Sequence, residues 1–137
     1  MTEPLNHHSA LIYVMVTMSA VDRVMTDAEL ARIGEIVSHL PIFRGFDQEQ
    51  LVKTAEGCGE ILSADGGLDH VLLLIRSNLP HRLRETAYAI ALEVAAADLD
   101  VKEEETRLLE MLRDTLDIDR LTATAIERGI RARNLVV

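Results

Sequence analysis

Ala20-Val21-Asp22-Arg23-Val24-Met25-Thr26-Asp27-Ala28-Glu29-Leu30 is the stretch from which the fold can be read. Upstream, Leu11, Val14, Met15, Met18 and Val21 recur at spacings of three and four, which predicts a helix over His7 to Asp22. Inside the stretch, Thr26 and Glu29 have the spacing of a capping box, in which each side chain satisfies a backbone donor left free by the first helical turn. Downstream, Leu30, Ile33, Val37 and Leu40 form the stripe of a second helix, ended by Pro41. An Asp at the end of one helix and a Glu in the first turn of the next therefore stand at one corner.

The same periodicity continues outward. Pro41 to Phe46 reads as a loop whose Phe43 and Phe46 close the edge of the core, and Asp47 reads as the cap of a third helix carrying Leu51, Ala55, Cys58 and Leu62. Asp65-Gly66-Gly67 is a turn, since glycine tolerates positive φ. A fourth helix follows from Leu68 to Leu79. Its Val71, Leu72, Leu74 and Ile75 leave it apolar on nearly every side, the pattern of a central, buried helix. Pro80 suits the first turn of a fifth helix that runs through Ala87, Ile90, Ala91 and Val94 to Asp98. Leu108, Leu109, Leu112 and Leu116 mark a sixth. Asp119 opens a seventh along Leu121, Ala125, Ile126 and Ile130, closed by Arg131 and Arg133, whose charge suits a helix C-terminus. No alternating pattern of useful length predicts a strand. The expected fold is all-α, a single compact bundle of about seven helices, with residues 8–133 as the domain and 1–7 and 134–137 as tails.

The corner occurs twice. Ala96-Ala97-Asp98-Leu99-Asp100-Val101-Lys102-Glu103-Glu104-Glu105-Thr106 joins the fifth and sixth helices as Ala20 to Leu30 joins the first and second. Each copy has a small residue two before the Asp (Ala20, Ala96), an apolar residue three after it (Met25, Val101) and a Glu seven after it (Glu29, Glu105). The repeat predicts a pseudo-two-fold pair of helix–acidic turn–helix units. On Ala20 to Glu29, Ala97 to Glu105 and the helix order, roughly residues 8 to 133, the chain resembles the TerB-like tellurite-resistance proteins, small all-helical bacterial domains. Their signature is an Ala-Asp-Gly-like turn followed by Glu. The glycine expected after the Asp is Arg23 in one copy and Leu99 in the other. The resemblance implies a helical fold, a cytoplasmic location, a link to tellurite or general stress resistance, and a capacity for divalent-cation binding through acidic residues. It implies no catalytic reaction.

The residues themselves support two readings of these corners. If the corners meet, Asp22, Glu29, Asp98 and Glu105 form a carboxylate cluster that needs a cation or protons to offset its repulsion, with Asp100 as a further donor. Such oxygen ligands suit hard cations, Ca²⁺, Mg²⁺ or Mn²⁺. Alternatively Glu29 serves only the capping box, first-turn acids favour the helix dipole, and the aspartates cap their own turns. An EF-hand is excluded: from Asp98 the fifth loop position is Lys102 and the twelfth Leu109, and from Asp65 the third is Gly67.

Composition removes other classes. The chain has 137 residues, 48% hydrophobic and 27% charged, with a net charge of −9, which fits one acidic globular domain and opposes a nucleic-acid-binding face. The amino-terminal Met1-Thr2-Glu3-Pro4 lacks the basic region of an export signal, and no apolar run reaches the length of a membrane span, so the expectation is a cytoplasmic protein without membrane insertion. The single Cys58 lies on the apolar stripe of its helix and reads as core. His7, His8, His39, His70 and His81 form no pair at the zinc spacing of four, and His7 and His8 read as part of a frayed terminus. Glu93 is expected to face solvent, and Arg76, Arg82 and Arg84 to form a solvated basic patch. No nucleophile–base pair or cofactor motif emerges, so no enzyme is expected. The functional expectation is a stress-resistance protein that holds a divalent cation at its acidic corners, with protein partners in a resistance complex. The alternative is a metal-free helical interaction module.

Overall fold

A computed structural model describes residues 5–20, 24–96 and 103–137. These residues form seven α-helices and no strand: α1 His7–Ala20, α2 Asp27–His39, α3 Leu51–Ser63, α4 Gly67–Asn78, α5 Arg84–Ala96, α6 Glu103–Thr115 and α7 Arg120–Arg133. Three short 3-10 turns, Pro41–Phe43, Gln48–Gln50 and His81–Leu83, join them. The all-α expectation is met. The helices group into two compact units, Met1–Leu79 and Pro80–Val137, a boundary inside the range read above as one domain. Each unit carries one copy of the acidic corner segment.

In the first unit, α1 packs against α3 and α4, which also pack against each other, while α2 lies on α1. Every residue of α1 from Ala10 to Ser19 is buried. Such burial is permitted because α1 contains no Asp, Glu, Lys or Arg that would be stranded away from water. The fully buried helix is thus α1, and the expectation for α4 is corrected. α4 buries Val71, Leu72 and Ile75, but Leu73 is 61% exposed between Asp69 and Arg76, which share its side of the helix.

Local chemistry sets the ends of these helices. The Thr26 hydroxyl accepts from the Glu29 N–H at 3.2 Å, and Glu29 Oε1 accepts from the Thr26 N–H at 2.9 Å, so the expected capping box forms. Asp47 caps the 3-10 turn Gln48–Gln50 ahead of α3, accepting from the Glu49 N–H at 3.0 Å. Between α3 and α4 the two glycines are needed for different reasons. Gly66 sits at φ +69°, and a Cβ on Gly67 would collide with the Ile61 carbonyl oxygen.

In the second unit, α5 packs against α7 and α6. Pro80 caps the 3-10 turn His81–Leu83 instead of starting α5, because its φ of −56° is paired with an extended ψ of 143°. α6 ends in a Schellman motif: Asp117 takes the left-handed conformation (φ 52°), and the Ile118 N–H reaches back to the Arg113 carbonyl at 3.2 Å. Asp119 caps α7, and hydrogen bonds from the Thr122 backbone and hydroxyl hold its carboxyl below the usual range. α7 buries Ala123 and Ile130, whereas Leu121 is 81% exposed and Ala125 is also exposed. The stripe read from the sequence is therefore rotated. The inward line runs Ala123, Glu127, Ile130 and includes a carboxylate.

Candidate functional site

Of the predicted ligands, Asp22, Asp98 and Asp100 lie outside the described residues. Glu29 opens α2 and is committed to its cap: besides the backbone bond, its Oε1 accepts from the Thr26 hydroxyl at 3.0 Å. Glu105 lies half-buried in the first turn of α6, beside the exposed Glu103 and Glu104. Among the described residues, no group of three or more His, Cys, Asp or Glu is placed to hold a metal ion. Glu29 and Glu105 are hard oxygen donors, chemically suited to Ca²⁺, Mg²⁺ or Mn²⁺. They stand on different units, and the aspartates that would complete a ligand set are not among the described residues.

Cys58 is fully buried. Its thiol donates to the Tyr13 carbonyl at 3.8 Å and lies 3.8 Å from the Thr17 hydroxyl. Burial pushes the thiol up to about 12, with the Thr17 contact opposing. A nucleophilic thiolate requires the opposite environment. The histidine reading is corrected at His8, whose Nε2 donates to the Ile42 carbonyl at 2.7 Å and whose ring stacks on Phe43 with centroids 5.5 Å apart. Phe46 closes this aromatic corner edge-on at 5.3 Å, which ties the start of α1 to the loop after α2.

The second unit holds its charges in pairs that the sequence did not reveal. The Tyr88 hydroxyl donates to Glu127 Oε2 at 2.6 Å on the wall of a cleft of about 550 Å³, also lined by Glu110 and Arg113. Burial, with the Glu127 carboxylate behind it, drives the phenol well above its ordinary range, so Tyr88 is a fixed donor and not a base. Glu93, expected in solvent, is only 18% exposed and pairs with Arg133 at 3.0 Å. Arg84 reaches Asp117 at 3.9 Å. The one available sequence signal was the tyrosine: a phenol in a core needs a polar partner.

The first unit presents a different kind of surface. A groove of about 680 Å³ lies among the end of α1, the start of α2 and the side of α3. Val16, Leu30 and Ala55 form its walls, while Val24 (89% exposed) and Val52 (49% exposed) lie open at its rim. Glu56 and Glu60, one helical turn apart on α3, flank it and are exposed. The signals in the sequence were apolar residues off the stripe, Val24 in a turn and Val52 beside Leu51.

Among the described residues, no helix is long and apolar enough to cross a membrane. No curated protein and no solved structure matches the chain. The model of one family, described as tellurite resistance protein TerB, matches residues 8–128, which include both acidic corners, α2 to α6 in full and most of α1 and α7. The chain belongs to the TerB tellurite-resistance family.

Proposed function

We propose that this chain is a non-enzymatic, cytoplasmic component of a tellurite- and stress-resistance system, and that its acidic corners hold a divalent cation, Ca²⁺, Mg²⁺ or Mn²⁺. The observation that carries the reading is the family match across residues 8–128, which spans both copies of the corner with the same seven-residue step from Asp to Glu. Within each corner taken by itself the aspartate, Asp22 or Asp98, is the main donor, and the second segment also offers Asp100 and Glu105. Glu29 contributes chiefly by shaping the first corner, because one of its oxygens is held by Thr26. The bound cation would offset carboxylate repulsion and tie one helix end to the next helix start. A binding role also accords with Cys58, the single thiol, being sealed in the core rather than offered to an oxyanion.

Thermal unfolding of metal-stripped protein, titrated separately with Ca²⁺, Mg²⁺ and Mn²⁺, tests the reading. A cation bound only by the folded state adds about 2.7 kcal/mol at 100 times its dissociation constant, so a saturable rise in Tm is expected. The rise is expected to vanish in Asp22→Asn/Asp98→Asn. An unmoved Tm with all three ions would remove the cation from the proposal.

A further inference from the structure

The groove of the first unit combines features that its own fold does not require. Val24 and Val52 leave apolar surface in water at its rim. Glu56 and Glu60 set like charges four residues apart, an arrangement that weakens a helix, and neither forms an ion pair among the described residues. Gly59 stands between them on the groove floor, in the middle of α3, where a glycine costs about 1 kcal/mol relative to alanine. A Cβ there would meet nothing within 4 Å, so packing within the chain does not explain the glycine. What it does is keep the floor low. The groove runs along α3 from Val52 to Ser63, a rise of about 16 Å, enough for anchors at i, i+4 and i+7 of a second helix.

From this geometry we infer that the groove receives an amphipathic helix of another protein, apolar on the inward face and rich in lysine or arginine along the edge that meets Glu56 and Glu60. The apolar walls and the low floor accept the aliphatic anchors and let the two backbones approach. The carboxylates select the partner by charge and fix its direction along α3. An acidic or neutral helix with the same apolar face would leave Glu56 and Glu60 repelled or unpaired. The assignment is independent of whether the acidic corners hold a cation.

The test uses the full chain and synthetic helical peptides with leucine at i, i+3, i+4 and i+7. One peptide carries lysine at its polar positions, a second carries glutamate there, and a third is a scrambled lysine–leucine peptide. Binding is read by fluorescence anisotropy and mapped by amide shifts. The lysine peptide is expected to bind, to weaken with salt, and to shift amides around Val24, Val52 and Gly59. Glu56→Lys/Glu60→Lys is expected to weaken it about tenfold or more. Gly59→Met, which fills the floor from a position with open space, is expected to block binding while the protein keeps its thermal unfolding transition. Absence of binding, equal binding of the glutamate or scrambled peptide, or shifts mapping elsewhere would overturn the inference. Self-association of the chain that Gly59→Met dissolves would also overturn it, because a second copy would then occupy the groove.

Discussion

The two units bury their helices by different means. In the first, the central helix α1 carries no Asp, Glu, Lys or Arg, and besides the Tyr13 phenol its buried polar groups are small, Thr17 and Ser19. In the second, carboxylates point inward and are matched: Tyr88 donates to Glu127, and Arg133 pairs with Glu93. An apolar centre gains stability from the area it removes from water and from close packing. A centre containing carboxylates gains specificity of register, because each inward charge needs its own partner and a lost partner leaves an exposed cost. The same family fold therefore contains one unit that is sensitive to volume and one that is sensitive to hydrogen bonding.

That contrast can be broken most strongly in α1. Leu11 is fully buried, and Leu11→Ala is expected to destabilise the protein by about 3 kcal/mol through lost burial and a residual cavity. Denaturant unfolding checks this, and a cost below about 1 kcal/mol would mean the site collapses freely and α1 is not closely packed. A smaller effect is expected from Tyr88→Phe. It removes one oxygen but leaves Glu127 without its 2.6 Å donor, a cost of about 1–2 kcal/mol. A double-mutant cycle with Glu127→Gln isolates the pair, and zero coupling would show that this hydrogen bond adds no stability. The smallest effect belongs to Arg133→Ala. The Arg133 side chain is 73% exposed, so solvent screens the pair and the expected loss is about 0.5 kcal/mol, readable as a slight Tm shift that high salt reduces.

Features that depend on a few neighbouring residues were legible in the sequence. Thr26 and Glu29 cap α2 because their spacing alone brings side chain to backbone, and Asp119 caps α7 for the same reason. Gly66 and Gly67 mark the α3–α4 turn, although only the structure shows that Gly67 yields space to the Ile61 carbonyl. Of the candidate site, the repeated acidic corner was visible as a pattern, and the capping role of Glu29 was one of its two readings. Glu93 and His8 were misjudged, and Glu127 was not singled out, because a side chain's polarity predicts exposure only when no partner arrives from a distant helix. Tyr88 lies 39 residues from Glu127, and Ile42 lies 34 from His8.

The sequence by itself determined that the chain is helical, where most helices start and stop, and which family it resembles. Backbone donors at a helix end and the 3.6-residue period act over one or two turns, and such distances are written in the order of residues. Tertiary structure alone decided that α1 and not α4 is fully buried, which face of α7 turns inward, and that Val24, Val52 and Gly59 frame an open groove beside two carboxylates. Several helices here carry enough apolar surface to be central. Which of them becomes so depends on the summed fit of all their neighbours, and that sum exists only once the chain has packed.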